Sequence, residues 1–267
     1  MNYSNWLMAL DLDGTLLDSR RNISDENKAA IEEWKALGGR VCLASGRSAG
    51  SIYPYWRELG LQLPVICGNG SGIYDFVGGR FIHHVDLPSG GAALAAAADA
   101  ALPETGITIY KDGKVYFCKT NAATERNLNN ENLPPLYADY RSLPEPWEKI
   151  LFSQEPEHTP KVAALMEKLA DKSKFRLLLS APVYFEVLSP EANKGVALRR
   201  YCELLGFELS KTVAVGDNEN DVMMLTDAAL SFTVANCTEP AREAADRVVG
   251  SNDESCMRQI MDILERN

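Results

Sequence analysis

Two aspartates one residue apart, Asp11 and Asp13, close the apolar run in LMALDLDGTLLDS, Leu7 to Ser19. A strand puts alternate side chains on one face, and two carboxylates on one face repel unless a cation or a proton lies between them. Such a pair either binds something or faces water, and taken alone both readings stand. Three further apolar runs end in similar turns: Ser45-Gly46-Arg47, Gly68-Asn69-Gly70, and Gly216-Asp217 followed by Asn218-Glu219-Asn220-Asp221. If these runs are parallel neighbours in an open α/β sheet, the turns share one cleft beyond the carboxyl ends of the strands. Acids, the Ser45 hydroxyl and several glycine amides then converge. Hard oxygen donors suit Mg2+, while amides, a hydroxyl and an ammonium suit a phosphoryl group.

The elements that must position these residues show in the hydrophobic pattern. Trp6–Leu10, Arg40–Ala44, Pro64–Cys67 and Thr212–Val215 read as strands, with helix patterns between them. The helix Asp25–Leu37 has Ser24 as its cap, Ala30, Ile31, Trp34 and Leu37 on one face, and Gly38-Gly39 as its stop. Ile73–Phe76 and Arg80–His84 read as a hairpin. From Leu87 the pattern changes. An alanine-rich helix (Gly90–Leu102) precedes a hairpin about Lys111-Asp112-Gly113-Lys114. A polar stretch of little periodicity follows, Thr120–Pro146, in which Asn121–Asn132 reads as a solvated loop with room for specificity contacts. A strand at Ile150–Ser153, a helix at Pro160–Leu169 and a strand pair (Phe175–Ser180, Val183–Leu188) end this region, and the helix Lys194–Leu205 restores the alternation. The expectation is an α/β protein: a doubly wound, Rossmann-like parallel-sheet core from residues 1–86 and 188–267, interrupted by an α+β cap over 87–187.

Composition narrows the classes. The chain has 267 residues, 46% of them hydrophobic and 24% charged, enough for a full core. A formal net charge of −10 without any basic run speaks against a nucleic-acid surface. The start MNYSNW shows no charged segment before an apolar one, and Gly90–Leu102 is too short to span a bilayer, so neither a secretory leader nor a membrane partner is expected. Six cysteines without a C-x-x-C pair read as free thiols, and a cytoplasmic setting is the expectation. No segment signals a protein partner.

The motifs, taken in order, resemble a known family. Asp11-Leu12-Asp13-Gly14-Thr15-Leu16 is similar to the D-x-D-G-T-L signature of haloacid dehalogenase-like phosphatases. Ser45-Gly46-Arg47, Lys194 and Gly216-Asp217-Asn218-Glu219-Asn220-Asp221-Val222-Met223-Met224 resemble that superfamily's second, third and fourth motifs. Motif order and the long insert after the third strand resemble the Cof-type sugar-phosphatase branch, across essentially the whole chain. This resemblance implies Asp11 as nucleophile, a carboxylate that needs no base to activate it, and Asp13 as general acid and base. It implies Mg2+ held by Asp11, the Asp13 carbonyl and Asp217, with Asn218 as a further candidate ligand. Ser45, the Leu12 and Gly46 amides, Lys194 and Asn220 would hold the phosphoryl oxygens, and Asp221 would orient Lys194. Arg47, Asn69 and Gly70 would form a cleft wall. Ser45 stands where many relatives carry Thr, Ser71 where Ala is commoner, and Asn252-Asp253-Glu254 lacks a frequent Asp-Gly-Val; none of these removes a catalytic group.

The implied activity is Mg2+-dependent hydrolysis of a small phosphorylated metabolite, such as a sugar phosphate. A phosphomutase would use the same aspartyl-phosphate, and a non-catalytic phospho-metabolite binder could keep the fold. A phospho-acceptor receiver module combines similar groups, but the acceptor on the first strand and the cap both speak against it. The calcium-loop reading of Asp217–Asp221 fails because Val222 and Ala228 stand where Gly and Glu are needed.

Overall fold

A computed structural model describes residues 2–131 and 133–265. The first core segment comprises β1 (Leu7–Leu10), α1 (Asp25–Ala36), β2 (Arg40–Leu43), α2 (Ala49–Glu58), β3 (Val65–Cys67), β4 (Gly72–Asp75) and β5 (Arg80–His84). The insert contains α3 (Gly91–Ala101), β6 (Gly106–Lys111), β7 (Lys114–Lys119), α4 (Ala122–Glu131), β8 (Leu136–Tyr137), β9 (Lys149–Ser153), α5 (Thr159–Leu169), β10 (Arg176–Ala181) and β11 (Tyr184–Leu188). The chain returns with α6 (Lys194–Leu205), β12 (Thr212–Gly216), α7 (Val222–Asp227), β13 (Leu230–Thr233), α8 (Glu239–Ala244), β14 (Arg247–Val248) and α9 (Cys256–Leu264).

The core sheet is parallel, in the order β14-β13-β12-β1-β2. Its strands bury both faces. Met8, Leu10, Val41, Leu43, Val213 and Val215 pack with residues of α1, α2 and α9. Leu7, Ala9, Cys42 and Ala214 pack with residues of α6, α7 and α8. This two-sided burial is why the strands read as unbroken apolar runs. From β1 the chain steps to β2 on one side, and after the insert it resumes with β12 on the other. The strand order therefore reverses at the β1–β12 seam, the position where such sheets open a ligand crevice.

β3 differs from its expected place as a full member of that sheet. A single bridge, Ala44 to Ile66, ties it to the parallel strands, and it belongs instead to the antiparallel sheet β3-β4-β5. The helical turn Gly68–Gly70, with positive φ at all three residues, reverses the chain before β3 can run further alongside β2.

The insert folds on a sheet of order β10-β11-β9-β6-β7-β8, antiparallel except for the β7–β8 pair. Ile107, Ile109, Ile150, Phe152, Phe185 and Val187 on one face pack with residues of α3 and α5. The alternate residues face the core. Asn121–Asn132, read from sequence as a solvated loop, is corrected to the helix α4 through Glu131; Asn132 lies outside the described residues. Asn121 caps it, its Oδ1 accepting from the Thr124 amide at 2.9 Å. Ala123, Asn127 and Glu131 are buried at four-residue intervals, so the helix has a buried face built largely of polar groups, which a search for apolar periodicity misses. The six cysteines are free thiols. Among the described residues no helix is long and apolar enough to cross a membrane.

Candidate active site

Asp11 immediately follows β1, its amide donating to the Val215 carbonyl at 2.9 Å. Its carboxylate is buried. Lys194, fully buried at the first turn of α6, donates to Asp11 Oδ1 at 2.7 Å and to Asp221 Oδ1 at 2.6 Å. Asn193 caps that helix, accepting from the Gly195 amide at 2.8 Å, and so fixes where Lys194 begins. The second Asp221 oxygen accepts from the amides of Asp217 and Asn218, both at 3.1 Å. Thr15 donates to Asp217 at 3.0 Å. A Cβ on Gly14, where φ is +78°, would lie 2.5 Å from Asp217 Oδ2, so glycine lets the two loops close on each other.

One carboxylate oxygen from each of Asp11, Asp217 and Asp221 lies within 4.8 Å of the others. Three acids face one ammonium, and the protonation energetics reflect it. Burial, then the Asp221 charge, pushes the Asp11 carboxyl well above the usual carboxylate range, against the pull of Lys194. Burial and Asp221 likewise push Asp217 up to about 6, despite hydrogen bonds from Asp11 and Thr15. Burial alone would weaken the Lys194 ammonium as well, but Asp11 and Asp221 outweigh it and hold lysine above its ordinary value. A divalent cation would supply the missing positive charge, and hard oxygen donors of this kind suit Mg2+. Asp11 and Asp217 fit as ligands. Both Asp221 oxygens are engaged, Oδ1 by Lys194 and Oδ2 by two amides, an arrangement that suits an orienting group better than a metal ligand.

Asp13 does not share a strand face with Asp11. The strand ends at Leu10, and the acids that crowd Asp11 are Asp217 and Asp221. Asp13 is half exposed and held by a two-pronged pair with Arg47, Nε to Oδ2 and Nη2 to Oδ1, both at 2.6 Å. Arg47, expected only as cleft wall, is therefore the clamp on Asp13. Ser45 Oγ accepts from the Arg47 amide at 3.2 Å and keeps its own proton to donate. Neither the Leu12 nor the Gly46 amide donates to another group among the described residues. Asn218 reaches the cap, its Nδ2 donating to the Ser180 carbonyl at 3.2 Å, while its Oδ1 accepts from the Glu219 amide at 2.8 Å. Asn220 donates to Asn69 Oδ1 at 2.9 Å, and its own Oδ1 is buried without a hydrogen bond among the described residues. Gly70, expected on the cleft wall, stands behind it: a Cβ there would lie 2.4 Å from the Asn193 backbone, so this glycine lets the loop pack on the start of α6.

Asp11, Asp13, Ser45, Arg47, Asp217 and Asn220 are among the groups that floor a cavity of about 280 Å3 roofed by the insert, with Lys194 and Asp221 buried behind them. The roof contains residues the motifs did not reveal: Tyr110 from β6, Asn127 and Glu131 from α4, Lys149 from β9 and Glu186 from β11. Lys149 Nζ bonds Glu186 Oε2 and the Gly46 carbonyl, each at 3.0 Å, and sits 4.2 Å over the Tyr110 ring. Asn69 also donates to Glu186 Oε2, at 3.0 Å. Glu131 accepts from Ser48 at 2.7 Å, from Ser51, and from the Tyr110 hydroxyl at 2.7 Å. A signal was present in Tyr184–Leu188 and Lys149–Ser153, where a charged residue occupies the alternate face of an otherwise apolar strand.

A sequence profile of the haloacid dehalogenase-like hydrolase family matches residues 8–261. Phosphatase YwpJ of Bacillus subtilis (strain 168) is 27% identical over 280 residues, spanning 96% of this chain and 98% of its own. A haloacid dehalogenase-like hydrolase from Bacteroides thetaiotaomicron superposes with a TM-score of 0.85 at 23% identity, covering 97% of this chain and 99% of that one. The structure of the subclass IIB sugar phosphatase BT4131 gives 0.83 at 19% identity, over 97% and 99% of the two chains. The chain belongs to the haloacid dehalogenase-like hydrolase family.

Proposed function

We propose that the chain catalyses Mg2+-dependent hydrolysis of a small phosphate monoester, a sugar phosphate or related metabolite, with Asp11 as nucleophile. The observation that carries this reading is the buried Asp11 carboxylate, 2.7 Å from Lys194 and beside two further acids. An Asp11 oxygen attacks phosphorus while the bond from phosphorus to the ester oxygen breaks. Asp13, clamped by Arg47, gives its proton to the departing alkoxide. Asp13 then takes a proton from the water that attacks the aspartyl-phosphate, releasing inorganic phosphate and restoring Asp11. Lys194, Ser45 and the Leu12 and Gly46 amides hold the phosphoryl oxygens as negative charge develops on them. Asp11, the Asp13 carbonyl and Asp217 would hold Mg2+, which would offset the crowded carboxylates and stabilise the charge on the phosphoryl oxygens. The cavity volume favours a small leaving group.

Phosphate release from a panel of phosphorylated metabolites, with and without Mg2+, tests the reading in wild type and Asp11→Asn. Mg2+-dependent release that disappears in the variant is expected. Release that persists in Asp11→Asn would remove Asp11 as the nucleophile.

A further inference from the structure

Asn69 sits where the core and the insert meet, and its side chain is engaged at both ends. It belongs to the core turn after β3, is 1% exposed, and has a φ of 58°, in the left-handed region that asparagine tolerates better than most residues. Its backbone amide donates to the Ser45 carbonyl at 3.1 Å, and the Gly68 amide to the Arg47 carbonyl at 2.8 Å, so the turn is pinned along Ser45-Gly46-Arg47. A Cβ on Gly46 would lie 2.8 Å from Asn69 Oδ1, so glycine there admits the side chain.

Hydrogen-bond chemistry then fixes which way the side chain faces. Asn69 Nδ2 donates to Glu186 Oε2 at 3.0 Å, the same oxygen that takes the Lys149 ammonium at 3.0 Å, and Arg176 faces that carboxylate as well. A carboxylate oxygen bound to an ammonium accepts, so the Asn69 NH2 is the end turned toward it. The Asn69 carbonyl oxygen is left for Asn220, which answers with its own NH2 at 2.9 Å. Turned over, Asn220 would set two carbonyl oxygens against each other. Its orientation is kept although Asn220 Oδ1 is then buried without a hydrogen bond among the described residues, an arrangement that costs free energy. The network therefore sets the orientation of Asn220. An NH2 carries two N–H groups; one is spent on Asn69, and the other remains for the cavity that Asn220 lines.

We propose that Asn69 is a positioning residue: held by the Glu186–Lys149 pair, it turns the Asn220 side chain so that an N–H, and not the carbonyl, meets a phosphoryl oxygen. A carbonyl in that place would repel the oxygen whose negative charge grows as the ester bond breaks. The inference rests on the hydrolytic reading above and on the place of Asn220 in it.

The side chain can be removed without straining the turn, because glycine adopts the same φ freely. With para-nitrophenyl phosphate, Asn69→Gly is expected to lower kcat by about ten- to hundredfold, the scale of a misplaced group at the reacting centre. It should also weaken the binding of inorganic phosphate, read by calorimetry, severalfold. The double variant Asn69→Gly/Asn220→Ala should lose no more than Asn220→Ala alone, because both changes act through one amide. Asn69→Asp sets a second carboxylate against Glu186 and should lower kcat as well. Adding Glu186→Gln gives that carboxylate an NH2 to accept from and should recover most of the loss. If Asn69→Gly does not fold, this last pair of variants decides.

A residue that only packs the turn would cost thermal stability and leave kcat and phosphate binding unchanged. That result in folded Asn69→Gly, losses that multiply in the double variant, or no recovery on adding Glu186→Gln would each overturn the positioning role and leave the hydrolase standing. Wild-type kinetics in Asn220→Ala would overturn it too, by removing Asn220 from the phosphoryl group. Release of phosphate from no ester by wild type would overturn the hydrolytic reading and this inference with it.

Discussion

The floor and the roof of one cavity are built on opposite electrostatic plans. The floor gathers Asp11, Asp217 and Asp221 around a single ammonium and leaves its charge unbalanced. The roof closes its charges on protein groups: Lys149 on Glu186, and Glu131 on two serines and a tyrosine. An unbalanced site is completed by what binds, on the proposed reading a cation and a phosphoryl group, whereas a nearly satisfied one selects by what it cannot accommodate. Damage to the floor should therefore abolish turnover, and damage to the roof should shift which ester is used and how tightly.

The largest expected effect falls on the floor. Asp11→Asn should lower phosphate release by roughly 10^4-fold or more, as removal of a nucleophile does elsewhere, while circular dichroism stays native. Next is Lys194→Met, which leaves Asp11 and Asp221 buried without their shared cation. Breaking a buried ion pair from one side costs about 3–5 kcal/mol, so urea unfolding without Mg2+ should show a loss of that order, together with the loss of activity. A change under about 1 kcal/mol, the scale of an exposed pair, would mean that the floor is not organised around this lysine.

The same contrast explains what the sequence disclosed. Floor residues sit at strand ends and at the start of α6, where the chain direction forces them into contiguous or ordered signals: Asp11 after LMAL, Gly216-Asp217 after TVAV, Lys194 after its cap Asn193. The parallel core and the insert were legible for the same reason. Roof residues come from three strands and a helix, and strand register brings them together. Tyr110 pairs with Lys149, and Glu186 with Leu151. No local pattern states that register. Helix α4 was hidden because most of its buried positions, Thr124, Asn127 and Glu131, are polar, which composition assigns to a solvated loop. Arg47 was visible, but its grip on Asp13 depends on the chain leaving the strand after Leu10, a detail that hydrophobic patterning does not resolve.

The unbalanced floor also sets a pH dependence. Without a cation Asp217 titrates at about 6 in the folded protein, against about 4 for an aspartate in an unfolded chain. Between these values the folded state holds a proton that the unfolded state has released. Its stability advantage from this group is thus present at low pH and lost as pH rises through about 6. Mg2+ competes with that proton, so its stabilising effect should grow across the same window. At saturations near 100 times Kd the gain approaches about 2.7 kcal/mol, a few degrees in Tm. Thermal unfolding at pH 5 and pH 7.5, with Mg2+ and with chelator, should show the larger Mg2+ shift at the higher pH; equal shifts would break the link between the crowded carboxylates and the cation.

The smallest effect belongs to the clasp between roof and core. Ser51 donates both to the Glu131 carboxylate and, at 2.6 Å, to the Glu131 carbonyl, which ties the end of α4 to the first turn of α2. Ser51→Ala removes that hydroxyl, but Ser48 and Tyr110 still serve the carboxylate. The cost should therefore sit near about 1 kcal/mol, the lower end for a lost partner of a buried acceptor. Because the hydroxyl touches neither Asp11 nor Asp13, that loss should be felt mainly where the closed cavity holds the ester. KM should rise severalfold and kcat change less. A fall in kcat comparable to that of Lys194→Met, with KM unmoved, would show that closure of the roof controls the chemistry of the floor, and the division drawn between them would have to be given up.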